Sequence, residues 1–326
     1  MKVLVPYGND VVETIRNILG DEATVVQSGR DLESMLEKGR DVEVIASGRV
    51  SGDFIRNAHN LRMVQHFGAG IDKIDREAVL AREGLIVCNS HLNSSEVAEY
   101  AISLLLALAK RIVLSDRDLR RGEWTYGWGG PRPNIEMKGK TCLIIGLGNI
   151  GAEVAKRLRA FDMRLTSATR SGISNNELLV DTVVKIENVE PLVREVDVVI
   201  LTLPLTPESE SLVDAHFLSW MKSDSLLVNV SRGPIIDEDA LFEALREKRI
   251  GGAALDVWWQ YPQKWRGTGQ PSRNPFSELD NVVMTPHRAA YSQRILDEQI
   301  RFAGENILRF IRGETPLNIV DMKRGY

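Results

Sequence analysis

The chain has few of the features that mark special classes of protein. Its two cysteines, Cys88 and Cys142, both lie in apolar runs, so we expect them to be buried, reduced and structural. No spacing of Cys and His indicates a metal site. The longest apolar run, 101–109, is much shorter than the roughly 20 residues that cross a bilayer. The N-terminal segment lacks the pattern of a signal peptide. These absences predict a cytoplasmic protein without a metal or membrane partner.

The chain also carries no strong charge of either sign. A net charge of −4 over 326 residues implies no nucleic-acid or polyanion partner. The hydrophobic content of 43% and the charged content of 26% are ordinary for a globular enzyme. The length fits two domains better than one small core.

One glycine-rich segment organises the rest of the sequence. The apolar run Thr141–Ile145 predicts a buried strand, and Gly146, Gly148 and Gly151 follow it directly, before a helical stretch that begins near Ala152. The first glycine permits a sharp turn, the second permits close approach of a pyrophosphate, and the third permits close packing of helix on strand. The helix N-terminus offers free N–H groups to phosphates. The segment therefore predicts a dinucleotide-binding site.

Apolar strands alternate with helical stretches on both sides of this segment, which predicts an α/β fold with parallel sheets covered on both faces. Residues 95–119 predict one long helix that is apolar nearly all round, so we expect it to be buried between domains or subunits. After the glycines, the sequence predicts these further strands of a dinucleotide-binding sheet: Arg164–Ala168, Val196–Leu203, Leu226–Val230, Gly252–Val257 and Asn281–Met284.

A second glycine turn, Gly68-Ala69-Gly70, follows the predicted strand at 63–66. In open α/β sheets, ligands bind at the carboxyl ends of the strands, where such a turn exposes several backbone N–H groups. The turn is either a cradle for an anion or carboxylate, or simply a tight connection, and its residues alone favour neither interpretation.

Several separate segments coincide with one family. They are Gly68–Asp72, Val97–Glu99, Gly146–Gly151, Leu203–Glu208, Val228–Gly233, Ala254–Val257 and Thr285–His287. In this order and spacing the chain resembles the D-isomer-specific 2-hydroxyacid dehydrogenases. The resemblance implies two doubly wound domains: a Rossmann dinucleotide-binding domain at 93–289, inserted into a discontinuous flavodoxin-like substrate-binding domain at 1–92 and 290–326. It also implies an active site in the cleft, hydride transfer between a nicotinamide cofactor and a small 2-keto or 2-hydroxy acid, and a homodimer.

The resemblance assigns roles to individual residues. Arg232 is expected to anchor the substrate carboxylate, a task that suits a planar bidentate cation. His287 is expected to exchange the proton, because an imidazole titrates near neutrality. Ala69 and Gly70 match the family's substrate-binding loop. The expected cofactor-binding residues are Gly146, Gly148, Asn149, Ile150, Gly151, Thr169, Arg170, Ser171, Leu203, Pro204, Val230, Ser231, Asp256 (on the nicotinamide amide) and His287.

The sequence departs from the family at the end of the second nucleotide-domain strand. An NAD enzyme places an acidic residue there to hold the ribose hydroxyls. This chain has Thr169, followed by Arg170 and Ser171. The cofactor is therefore predicted to be NADP(H) in preference to NAD(H).

A second departure lies at the catalytic carboxylate. Tyr261 stands at the position of the family's catalytic Glu, and Gln260 precedes it. Both side chains are neutral, so either would orient the imidazole of His287 by a hydrogen bond without supplying charge. A longer loop follows at 263–274, with Trp265 and Arg266, and we hypothesise that it covers the active site.

The leading interpretation is an NADPH-dependent reductase of glyoxylate or hydroxypyruvate. A formate-type or other donor dehydrogenase is an alternative, because that branch has Gln at the Glu position, although Gln260 is one residue out of register. The other alternative is an NAD(P)-sensing binding protein of the same fold. The presence of both Arg232 and His287 favours an enzyme.

Overall fold

The computed structural model describes residues 1–263 and 267–325. Trp265 and Arg266 of the predicted covering loop lie outside these residues. The described part of the chain contains twelve strands and eleven α-helices. The strands are β1 Lys2–Val5, β2 Thr24–Gln27, β3 Val44–Ala46, β4 Met63–Gln65, β5 Ile86–Cys88, β6 Thr141–Ile145, β7 Arg164–Thr169, β8 Thr182–Lys185, β9 Val198–Leu201, β10 Leu226–Asn229, β11 Gly252–Leu255 and β12 Val282–Met284. The helices are α1 Asn9–Leu19, α2 Leu32–Gly39, α3 Gly52–Asn57, α4 Arg76–Leu80, α5 Ser94–Ala109, α6 Ile112–Leu119, α7 Asn149–Arg159, α8 Glu190–Glu195, α9 Ala215–Trp220, α10 Glu238–Arg246 and α11 Gln293–Ile311.

The chain divides into two compact units. The first unit is Met1–Asn93 with Tyr291–Tyr326, and the second unit is Ser94–Ala290. Among the described residues, every helix is too short or too polar to serve as a membrane span. Cys88 and Cys142 are free and buried, as predicted, and burial raises the pKa of the Cys88 thiol to about 12.

The first unit is built on a parallel sheet with the strand order β2-β1-β3-β4-β5. β1 is buried from Val3 to Val5, as expected of a parallel strand covered on both faces. The C-terminal segment completes the unit at the edge of β5. Ile319 bridges Cys88 in antiparallel fashion, and the Val320 N–H donates to the Val87 carbonyl oxygen at 2.8 Å. The segment therefore covers an edge that would otherwise present unpaired backbone groups.

The second unit holds a seven-stranded sheet, β12-β11-β10-β9-β6-β7-β8, and all its strand pairs are parallel. The chain leaves β6 toward β7 and β8, then returns to β9 on the other side. This reversal creates a switch point at the carboxyl ends of β6 and β9, where ligands bind in such sheets. The predicted fold class, two doubly wound α/β domains of the Rossmann and flavodoxin-like kinds, is confirmed.

Two differences from the sequence-based expectation have a clear physical reason. The single helix predicted over 95–119 is two helices, α5 and α6, because Arg111 takes a left-handed backbone with φ of 53°. β8 was not predicted at all. It lies at the edge of the sheet and its ends are exposed, so it lacks the fully apolar run that identifies the central strands.

Candidate active site

The glycine turn of the second unit has the geometry that a dinucleotide requires. Gly146 has φ of +99°, which lets the chain leave β6 sharply. A Cβ on Gly151 would lie 2.1 Å from the Gly146 carbonyl oxygen, so α7 packs directly on the turn. A Cβ on Gly148 would meet nothing within 4 Å. The N-cap residue of α7 is Gly148, which has no side chain to bond the first N–H groups of the helix, so the residues present fit a bound pyrophosphate.

The turn after β7 is closed by its own side chains. The Thr169 hydroxyl accepts from the Gly172 N–H at 3.0 Å and donates to the Ile173 carbonyl oxygen at 3.1 Å. The Ser171 hydroxyl donates to the same oxygen at 3.2 Å. Arg170 and Ser171 are exposed. Thr169, at the position where an NAD enzyme has its acid, is therefore engaged in shaping this turn.

The next segment fastens that turn to the glycine turn. The Ser174 hydroxyl and the Asn176 side-chain amide both donate to the Leu147 carbonyl oxygen, at 2.8 Å and 3.2 Å. Leu147 lies between Gly146 and Gly148 in sequence. The two turns that are candidates for contacts with the phosphates and the adenosine ribose are thus held as one piece.

The ends of β9 and β10 border the same edge of the sheet. The Thr202 hydroxyl donates to the Gly146 carbonyl oxygen at 2.6 Å, and Leu203 and Pro204 follow it in the chain. After β10, Val230 and Ser231 are buried. The Ser231 Oγ is buried without a hydrogen-bond partner among the described residues. Because a buried hydroxyl is costly to leave unpaired, this atom suits a polar group of a bound cofactor.

Arg232 is fixed by the backbone around it. The Asn229 side-chain amide donates to the Arg232 carbonyl oxygen at 2.9 Å, and the Arg232 Nη1 donates to the Ser231 carbonyl oxygen at 2.7 Å. Gly233 cannot carry a side chain, since its Cβ would lie 2.3 Å from the Trp258 carbonyl carbon. The strand end at β10 and the segment after β11 are therefore in close contact, with the guanidinium held beside them.

His287 lies on a turn that the buried carboxylate of Asp256 organises. Asp256 is 0% exposed. It accepts from the Thr285 hydroxyl at 2.6 Å and from the backbone N–H groups of Arg288 at 3.0 Å and Ala289 at 2.8 Å. His287 has φ of 53°, a conformation that a residue with a Cβ rarely adopts. The carboxylate thus holds the residues on both sides of a strained histidine.

Trp258 supports the same turn, although the sequence did not single it out as a site residue. It is buried, and its indole N–H donates to the Thr285 carbonyl oxygen at 2.9 Å. A buried Trp needs a hydrogen-bond partner for its indole N–H. A Trp two residues after Asp256 was therefore the sequence signal that could have identified it. Asp256 and Trp258 together determine where His287 lies.

The side chain of Tyr261 contacts the imidazole of His287. Its hydroxyl lies 2.9 Å from Nδ1 of His287 and also accepts from the Trp258 backbone N–H at 3.1 Å. Of the two neutral residues considered from the sequence, Tyr261 makes this contact, whereas Gln260 donates its backbone N–H to Pro271. A hydroxyl donates to a neutral imidazole and accepts from a charged one, so the bond is compatible with both protonation states.

The glycine turn of the first unit is held by buried amides. The Asn89 side chain donates to the Ala69 carbonyl oxygen at 2.8 Å. The Ser90 backbone N–H donates to the Gly68 carbonyl oxygen at 3.0 Å, and the Gly68 N–H donates to Nδ1 of His66 at 2.9 Å. Ala69 and Gly70 are partly exposed at the carboxyl end of β4.

Comparisons with known proteins agree with this architecture. Residues 102–289 match the family described as D-isomer specific 2-hydroxyacid dehydrogenase, NAD binding domain. The chain is 34% identical to the glyoxylate reductase of Pyrococcus horikoshii, over 93% of this chain and 89% of the relative. It is also 34% identical to the D-3-phosphoglycerate dehydrogenase of Methanocaldococcus jannaschii, over 99% of this chain but only 60% of that longer protein.

A solved structure of a named enzyme has the same fold. The NADPH-dependent glyoxylate/hydroxypyruvate reductase of Sinorhizobium meliloti, in complex with NADP and malonate, superposes with a TM-score of 0.81 at 27% identity. The alignment covers 98% of this chain and 97% of that one. The sheet order and the glycine turn define an α/β protein that binds a dinucleotide. More specifically, the chain belongs to the D-isomer-specific 2-hydroxyacid dehydrogenases. The predictions of an NAD(P)-dependent dehydrogenase and of a nicotinamide cofactor are confirmed.

Proposed function

We propose that this protein reduces a small 2-keto acid, such as glyoxylate or hydroxypyruvate, with NADPH as the hydride donor. The observation that carries the proposal is the hydrogen bond between Tyr261 and His287, on a turn fixed by Asp256. It leaves the imidazole oriented and able to exchange a proton. The relatives named as glyoxylate reductases support the substrate class. We assign dinucleotide binding to the second unit and substrate binding to the first, a division that stays a proposal.

The chemistry assigns a different task to each residue. Bound NADPH supplies the hydride that the keto carbon receives. His287 donates a proton to the carbonyl oxygen as it becomes a hydroxyl. Tyr261 holds Nδ1, and we assign the proton transfer with the substrate to Nε2. Arg232 binds the carboxylate as a planar bidentate donor. Ala69 and Gly70 are proposed as further substrate contacts on the strength of the family resemblance.

The direct test is NADPH consumption by the purified protein against a panel of 2-keto acids that includes glyoxylate, hydroxypyruvate and pyruvate. Formate with NADP⁺ is measured beside them. Turnover of a keto acid supports the reductase. Turnover of formate alone would establish the formate-type dehydrogenase instead. Tight binding of NADPH with no turnover of any substrate would establish an NAD(P)-sensing protein.

The preference for NADP(H) rests on the turn at 169–173. This turn presents an arginine and no carboxylate at its exposed tip, so a 2′-phosphate meets attraction in place of repulsion. A charge-assisted hydrogen bond from Arg170 contributes about 1.5–3 kcal/mol, roughly a tenfold to hundredfold change in affinity. Arg170→Ala should weaken NADPH binding by that factor and leave NADH binding nearly unchanged. Equal Kd values for the two cofactors in the wild-type protein would contradict the preference.

We further propose a homodimer. The second unit exposes large apolar side chains on α6 and just after it: Ile112 at 54%, Leu119 at 52%, Trp124 at 77% and Trp128 at 107%. Large exposed apolar patches mark interaction surfaces, and we propose that these side chains, which are close in sequence, form one. Light scattering of the wild-type protein and of Trp128→Ser measures the mass directly, and a monomeric wild type would contradict the proposal. A cytoplasmic location stays a prediction from the sequence.

A further inference from the structure

The hydroxyl groups of the turn at 169–173 already donate their protons to the backbone, so a phosphate cannot use them as donors. Thr169 and Ser171 both donate to the Ile173 carbonyl oxygen. A phosphate accepts hydrogen bonds and needs donors or positive charge. A 2′-phosphate bound at this turn therefore depends on backbone N–H groups and on cations. Arg170 supplies one positive charge, whereas the phosphate brings between one and two negative charges at neutral pH.

The neighbouring strand supplies a second cation at the same place. β8 pairs with β7 in parallel register, and Lys185 lies directly opposite Thr169. Lys185 is the last residue of β8 and is exposed. Its stem packs under the turn, since a Cβ on Gly172 would lie 2.8 Å from Cγ of Lys185 and 3.2 Å from its backbone nitrogen. Gly172 has φ of +77°, so the turn can bend over the lysine.

We propose that Lys185 is a second specificity-determining cation, which binds the 2′-phosphate of NADPH together with Arg170. The inference rests on the proposed NADPH preference and names a residue on a strand that does not contain the family's cofactor motif. Lysine acts as a point charge on a flexible stem. It therefore needs no fixed geometry to complement the planar guanidinium. The hydrogen bonds of Ser174 and Asn176 to Leu147 hold the turn that carries Arg170 beside the glycine turn. Lys185 is joined to the same turn by its pairing with Thr169.

The test compares binding of two cofactor pairs to the intact protein. Kd is measured for NADPH and NADH, and for adenosine 2′,5′-bisphosphate and AMP, which isolate the adenosine half. Lys185→Gln should weaken binding of NADPH and of the bisphosphate by roughly three- to fivefold, the upper part of the range expected for an exposed charge pair. NADH and AMP should change by less than about twofold. Lys185→Arg should retain the preference.

Lys138→Gln is the matched control, because it removes an exposed lysine near the amino end of β6. It should leave all four constants unchanged. An equal loss of NADPH and NADH affinity in Lys185→Gln, or no loss of either, would overturn the role of Lys185 while leaving the cofactor preference intact. A wild-type protein without any preference for NADPH would instead overturn the proposed cofactor, and Lys185 with it.

Discussion

Replacing Tyr261 by Glu tests how the proposed proton donor is controlled. The hydroxyl of Tyr261 lies 2.9 Å from Nδ1 of His287, so it orients the ring without adding a charge. A carboxylate at this position favours the imidazolium and raises the pKa of His287. The substitution should therefore change the pH dependence of the reaction in a defined direction.

The expected size of the pKa shift follows from the distance between the two charged groups and from the exposure of residue 261 to solvent. Two unit charges about 4 Å apart interact by about 1 kcal/mol in water and by about 4 kcal/mol at an effective dielectric constant of 20. Tyr261 is 38% exposed, so screening by solvent places the effect near the lower value. About 1.4 kcal/mol corresponds to about one pKa unit, and we expect a shift of roughly that size.

The assay is kcat/KM against pH in both directions. Reduction needs a protonated His287, so its rate falls as pH rises through the pKa of this group. In Tyr261→Glu that fall should move about one pH unit higher. Oxidation needs a neutral His287, so its rate should begin to fall at a correspondingly higher pH as the solution is acidified.

Two further variants separate charge from geometry. Gln260→Glu adds the same charge one residue away and should move the profile less. Tyr261→Phe removes the hydrogen bonds to His287 and to the Trp258 N–H, so it should lower kcat without moving the fall in the reduction rate to higher pH. A profile that is identical in Tyr261→Glu and wild type would show that residue 261 does not control the protonation of His287.

The remaining predictions concern the substrate anchor and the glycine turn. Arg232→Lys should raise KM for the keto acid at least tenfold and also lower kcat, because a point charge loses the bidentate geometry; wild-type kinetics in this variant would exclude Arg232 as the anchor. Gly151→Ala places a Cβ 2.1 Å from a backbone oxygen and should lower Tm by roughly 5 °C or more. Gly148→Ala, whose Cβ meets nothing within 4 Å, should keep Tm within about 2 °C yet weaken NADPH binding more than tenfold; thermal unfolding and cofactor titration of both variants check the pair.

The sequence was sufficient where one physical signal dominated. The run before Gly146 is fully apolar because parallel strands are buried on both faces, so β6 and its turn were predictable. β8 was missed because an edge strand needs no continuous apolar run. The break at Arg111 was missed because a left-handed residue inside an apolar helical pattern leaves no periodic trace.

In the candidate site, too, the sequence indicated some features and gave no sign of others. Residue type singled out Thr169, Arg170 and Tyr261 as candidate site residues, because each departs from a recognisable motif. Residue type did not show that the Thr169 hydroxyl closes its own turn. It also did not show that Asp256 holds the backbone around His287. Such bonds join groups that only the folded chain brings together, and no spacing in the sequence encodes them.

The pairing of residues 319–320 with β5 has a consequence for the order of folding during synthesis. The second unit is one continuous stretch, 94–290, whereas the first unit needs residues from both sides of it. On a ribosome that adds about 5–20 residues per second, the second unit can therefore fold while the sheet edge at β5 is not yet paired with residues 319–320. Until residue 320 has emerged, that edge is open to pairing with other chains. The nascent protein is accordingly exposed to aggregation through this edge during the interval between the emergence of β5 and that of residue 320.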